Sequence, residues 1–263
     1  MAAEQAASGN QLNVVNNSVW LFDRYEFFRE RYLSLHAEAE RRKDERDVET
    51  KILDDGTEMR STRFPSLQLY QEAEWHAQAA IDAFFCWTEH VFIHIAILLG
   101  RLRTGEDVAA LAQSDWKEKF KSVLDISDPT TQRHYDRLLD LRAQIRNFMA
   151  HGSFGKRGEA FRFHSGAGAV PVLLTGKQKH RYALTGEPAF DERWAIGEID
   201  AFIEHLWSGP LLPARRYVES HLPCILTYVS DGSYHSAMQS EEAMDEFVRG
   251  LSRAFDDAAN MDW

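Results

Sequence analysis

The residue types best suited to chemistry in this chain gather in the run RNFMAHG, Arg146 to Gly152. A histidine titrates near neutral pH and can take or give a proton, while an arginine is always charged and carries a fork of donors that fits a phosphate. His151 and Arg146 therefore supply proton transfer and charge stabilisation, and Asn147 can orient either the imidazole or the phosphate. Around them the chain is basic. From Leu141 to Arg181 there are eight basic residues against one acid, Glu159, in a protein whose formal net charge is −11. Arg142 precedes the run, and Ser153, Lys156 and Arg157 follow it as candidate phosphate contacts. The overall acidity argues against a general nucleic-acid binder, which draws its affinity from neutralising phosphates. One basic island on an acidic protein attracts an anion at one place and repels it elsewhere. A solvated basic hairpin would give the same pattern.

The run RNFMAHG resembles the HEPN family (higher eukaryotes and prokaryotes nucleotide-binding domain), whose ribonuclease members carry Arg, four to six residues, then His. The resemblance covers RNFMAHG closely and the helical pattern from Val19 to Leu206 more loosely. Arg followed after four to six residues by His recurs at Arg29 and Arg31 with His36, Arg157 with His164, and Arg215 and Arg216 with His221, but Arg146/His151 alone has Asn after the Arg and Gly after the His. The resemblance implies a metal-independent endoribonuclease of the cytoplasm, acting as a toxin or phage-defence effector. In it the 2′-hydroxyl of RNA attacks the adjacent phosphate, leaving a 2′,3′-cyclic phosphate and a 5′-hydroxyl; no cofactor is called for. It also implies a homodimer with a composite site, and leaves open an antitoxin or regulatory partner. Non-catalytic members make a binding or regulatory bundle the alternative. Some toxins of the family are silenced at a tyrosine two residues after the histidine; here that position is Ser153, so this control is not expected.

Geometry constrains the pair. Five residues of ideal helix separate two positions by about 140° around the axis and about 7.5 Å along it, so an unbroken helix cannot aim both at one phosphate. Either the helix ends before His151, which Gly152 permits, or two chains bring their motifs together.

A second constellation is His90 and His94 with Glu89 adjacent. Two histidines at i and i+4 can reach one metal, and His76 shares their stripe with Glu72, Trp87 and Arg101. Such a stripe equally suits a helix interface or a cleft, and no metal is expected. The glycine-rich phosphate loop, the GxSxG elbow, HExxH and CxxC are absent. Cys86 and Cys224 are too far apart in sequence to form a ligand cluster and read as reduced thiols, Cys86 packed as a small hydrophobe. The longest apolar run, Val91 to Leu99, is about half a bilayer span, so no membrane crossing is expected.

The elements that must position these residues are mostly helices. Apolar spacing predicts a helix from about Val19 to Ala39, capped by Ser18, with Trp20, Tyr25, Phe28, Tyr32 and Leu35 facing the core. A charged stretch then reads as a helix extension and an exposed loop turning at Gly56. Pro65 opens the longest helix, running to about Leu102. Short helices are expected near Asp107–Gln113 and in DWKEKFKSVLD. Asp128-Pro129 starts the helix that carries the motif. A β-excursion over about 159–185 follows, then helices over Asp191–Leu206 and Glu241–Ala259, with Pro210–Ser233 ambiguous. The expected architecture is mainly α: a helical bundle with a small β-hairpin inserted after the motif helix. Residues 1–17 read as a disordered lead-in, 18–206 as the HEPN-like bundle and 207–263 as a helical C-terminal extension.

Overall fold

The computed structural model describes residues 12–151, 163–165, 168–170 and 191–260. The protein is mainly α, with short antiparallel hairpins, one of which follows the motif helix as expected. β1 (Asn13–Val14) leads into α1 (Ser18–Arg41); β2 (Asp47–Ile52) and β3 (Glu58–Arg63) form a hairpin; α2 (Pro65–Leu98), α3 (Gly105–Gln113), α4 (Trp116–Lys121) and α5 (Pro129–His151) follow. β4 (Phe163–Ser165) pairs with β5 (Gly168–Val170), and α6 (Glu192–Leu206) returns to the bundle.

α2 is the axis of the molecule. It begins at Pro65, where the missing N–H would have had no intrahelical partner. Gly100 stops it: at φ +70° it returns Arg101 N to Ala96 O and its own N to Ile97 O, both at 2.9 Å, before the expected end at Leu102. The helix is long and apolar enough to cross a membrane, yet 72% of its most apolar 18-residue stretch is buried inside the protein, as befits a core helix. α1 runs antiparallel along it through Phe22 on Trp87 (4.9 Å between centroids) and Tyr25 on Phe84 (6.0 Å). On its other side Phe92 meets Trp116, Phe120 and Phe202, joining α4 and α6 to the same aromatic core. The Trp116 indole is satisfied there by Thr88 Oγ1 at 2.9 Å.

Several local expectations are corrected by packing. Trp20 stands 65% exposed while Tyr25 and Tyr32 are buried, so the apolar spacing of α1 overstates its core face. Ser18 does not cap α1; it is the first helical residue, and its N–H donates to Asn16 Oδ1 at 3.1 Å. Cys86 lies on the exposed side of α2, whereas Cys224 is buried. The charged stretch after α1 is the β2–β3 hairpin, paired from Asp47↔Arg63 to Ile52↔Glu58 around Gly56 at φ +84°. Trp194 of α6 is 40% exposed, while Ile199, Phe202 and Leu206 are buried.

Residues 12–17 are not a disordered lead-in: β1 pairs with β6 (Cys224–Ile225), and Asn16 Nδ2 donates to Val218 O at 2.9 Å. Residues 1–11 lie outside the described residues. The ambiguous stretch after α6 resolves into a 3-10 turn (Gly209–Leu211), α7 (Leu212–Val218), β6, α8 (Thr227–Ser230) and α9 (Ser233–Ala237), before α10 (Glu241–Ala259). Tyr234 organises it, its hydroxyl lying 3.0 Å from Tyr217 Oη and accepting from Ile225 N at 2.8 Å. This segment shares one apolar core with the bundle.

Candidate functional site

α5 presents the motif, and its own sequence explains its placement. Asp128 Oδ2 accepts from Thr131 N at 2.7 Å, closing the first turn that Pro129 opens. Leu138, Leu141 and Ile145 recur at helical spacing and are all buried, so one stripe of α5 is seated on the core. Two polar contacts set it antiparallel to α6: Thr131 Oγ1 meets His205 Nε2 at 2.8 Å, and Arg137 pairs with Glu198. The last turns of α5 therefore lie toward the Glu192 end of α6.

Those last turns contain Arg146, Asn147 and His151 on a backbone that is helical through His151. The helix does not end before the histidine, which removes one of the two arrangements that geometry allowed. The side chains of these three residues lie outside the described part of the structure, as do Ser153, Lys156 and Arg157 altogether.

Arg142, one turn before Arg146, is placed clearly. It is not free for phosphate: Nη2 donates to Glu89 Oε1, and the guanidinium lies over Phe85 (5.8 Å) and Trp116 (6.0 Å). The other carboxylate oxygen of Glu89 receives Lys119 Nζ at 2.9 Å, a side chain only 5% exposed. One carboxylate thus joins α2, α4 and α5, leaving a net single positive charge at the root of the motif's last turns. Sequence reading missed Lys119 and this role of Glu89. An acid flanked by apolar residues in the second half of α2 was the available signal, because a carboxylate among buried neighbours calls for a cationic partner.

The histidine stripe is an interface. His94 is fully buried, Nδ1 lying 3.1 Å from His90 O and Nε2 3.2 Å from Val15 O. His90 Nε2 accepts from Asn17 N at 3.0 Å, so the pair holds the link between β1 and α1 against α2. Burial, and after it the charge of His94, push His90 down to about 4; burial also lowers His94. Both rings are neutral at pH 7. His76 instead faces the Phe28 ring at 5.9 Å. Among the described residues no three His, Cys, Asp or Glu side chains are grouped to hold a metal ion.

A last polar contact sits at the start of α5, where His134 stacks on His205 with centroids 5.0 Å apart. Burial, then the charge of His205, lowers His134. Comparison with protein-family models, with curated proteins and with solved structures finds no match for this chain.

Proposed function

We propose that this protein is a metal-independent endoribonuclease of the HEPN type, working as a homodimer with Arg146 and His151 of two copies around one RNA phosphate. The observation that carries the reading is the continuity of α5 through His151. On that helix the two positions stand about 140° apart, so a single copy does not bring both to one phosphorus. A second copy placed across a two-fold axis does, because an isologous interface duplicates any patch near the axis.

In the reaction His151 of one copy takes the proton of the 2′-hydroxyl, O2′ bonds to phosphorus, and the bond from phosphorus to O5′ breaks as His151 of the second copy, in its protonated form, gives its proton to O5′. Arg146 stabilises the charge on the phosphoryl oxygens at the transition state. Asn147 orients the imidazole or the phosphate. Arg142 serves through position, since its guanidinium already holds Glu89. A toxin or phage-defence role in the cytoplasm follows from the resemblance of RNFMAHG.

The test is cleavage of RNA by the purified full-length protein in EDTA, with the product ends identified. His151→Ala and Arg146→Ala each abolish cleavage while circular dichroism and thermal unfolding stay those of the parent. If the protein binds RNA without cutting it, or both variants cut as well as the parent, the reading fails and a non-catalytic RNA-binding bundle replaces it.

A further inference from the structure

A cleft of about 590 Å³ opens between the start of α1, the middle of α2, the end of α6 and α7. It lies at the opposite end of α6 from the motif and does not depend on the ribonuclease reading. Its floor is aromatic: Phe22, Trp87 and Trp207 line it, with Phe22 and Trp207 lying 4.9 and 6.2 Å from Trp87 between centroids. Its rim is acidic. Asp23, Glu26 and Glu204 line it, are exposed, and make no ion pair among the described residues, while Glu219 is already paired with Arg215 at 2.7 Å. Burial, then the neighbouring charges of Asp23 and Glu30, raise Glu26 above its ordinary value against the smaller opposing charge of Arg29.

One residue of the wall also carries an unsatisfied polar atom among the described residues. Ser18 lines the cleft and is 1% exposed, yet its Oγ has no hydrogen-bond partner among the described residues. A buried hydroxyl in that state has an unused acceptor as well as an unused O–H donor.

These features fit a cation with an apolar body. The carboxylates are not grouped to hold one metal ion among the described residues, so they suit charges spread along a chain. Aromatic rings accept methylene groups and attract ammonium groups. The start of α1 opposes a cation with about half a positive charge, which the three rim carboxylates outweigh, and the carbonyl end of α6 adds to their side. We propose that this cleft binds a linear aliphatic polyamine, its methylenes against Phe22, Trp87 and Trp207 and its ammonium groups on Asp23, Glu26 and Glu204, with Ser18 Oγ accepting one N–H.

The experiment titrates the full-length protein with spermidine by calorimetry while following tryptophan fluorescence, with Mg²⁺ at matched ionic strength as the control. Saturable binding with one polyamine per chain, a fluorescence change and a raised melting temperature are expected, and Mg²⁺ does not displace the polyamine. The exposed pair Glu26→Gln and Glu204→Gln weakens binding at least tenfold and leaves the melting temperature of the free protein unchanged. Absent saturation, displacement by Mg²⁺ at equal ionic strength, or unaltered binding in the double variant overturns the assignment.

Discussion

Arg142 of α5 and Glu89 of α2, 53 residues apart, are joined by a charged hydrogen bond, and Lys119 of α4 holds the other oxygen of the same carboxylate. Removing the carboxylate strands an ammonium that is only 5% exposed. Glu89→Gln is therefore expected to destabilise the fold by about 2–3 kcal/mol, below the range for a fully buried pair because Glu89 is a third exposed. Lys119→Met in the same chain should recover a large part of that loss. Urea unfolding of the two single variants and the double variant measures this, and a loss under about 0.5 kcal/mol for Glu89→Gln would remove the strut from the account.

Assembly is the second expectation. If the site is composite, the protein sediments as a dimer, and His151→Ala subunits exchanged into the parent suppress its cleavage, because a heterodimer keeps one histidine where the reaction uses two. A strictly monomeric protein that cleaves RNA with full activity would sink the two-copy arrangement.

Metal analysis is the third. Since His90 and His94 are engaged with Asn17 N and Val15 O, purified protein should contain no stoichiometric zinc, and EDTA should leave its melting temperature unchanged. Zinc bound through two or more of His76, His90 and His94 would reverse this assignment.

The fourth concerns pH. His90, His94 and His134 are all held below the ordinary histidine value, His90 at about 4, chiefly by burial. As pH falls, the unfolded chain takes up protons first, so the stability these rings carry is complete above about pH 7 and is lost through 6.5 toward 4. His90 is only half-buried and partly screened by solvent, so the loss between pH 7.5 and 5.5 is expected to be on the order of 1 kcal/mol. Thermal unfolding at the two pH values checks the sign; His90→Gln, which keeps an acceptor for Asn17 N, should flatten the dependence. Equal or greater stability at pH 5.5 would contradict it.

Sequence alone determined what depends on near neighbours along the chain. The start of α5 at Asp128-Pro129, its buried stripe of Leu138, Leu141 and Ile145, and the long apolar face of α2 were readable because capping and helical periodicity act within a few residues. The motif was readable as residue types at a spacing. Tertiary structure decided what depends on residues far apart. Trp20 and Trp87 sit in equally convincing helical patterns, yet one is 65% exposed and the other 2%, because only Trp87 is met by Phe22 and Trp207. The β2–β3 hairpin left no alternating signal because nearly all its residues face solvent on both sides. His90 and His94 have a spacing that suits a metal or an interface equally, and the folding of Val15 and Asn17 over α2 settled which. Arg142 belonged by sequence to a basic island and by structure to Glu89, because a long charged side chain pairs with whatever opposite charge the packing of three helices brings within reach.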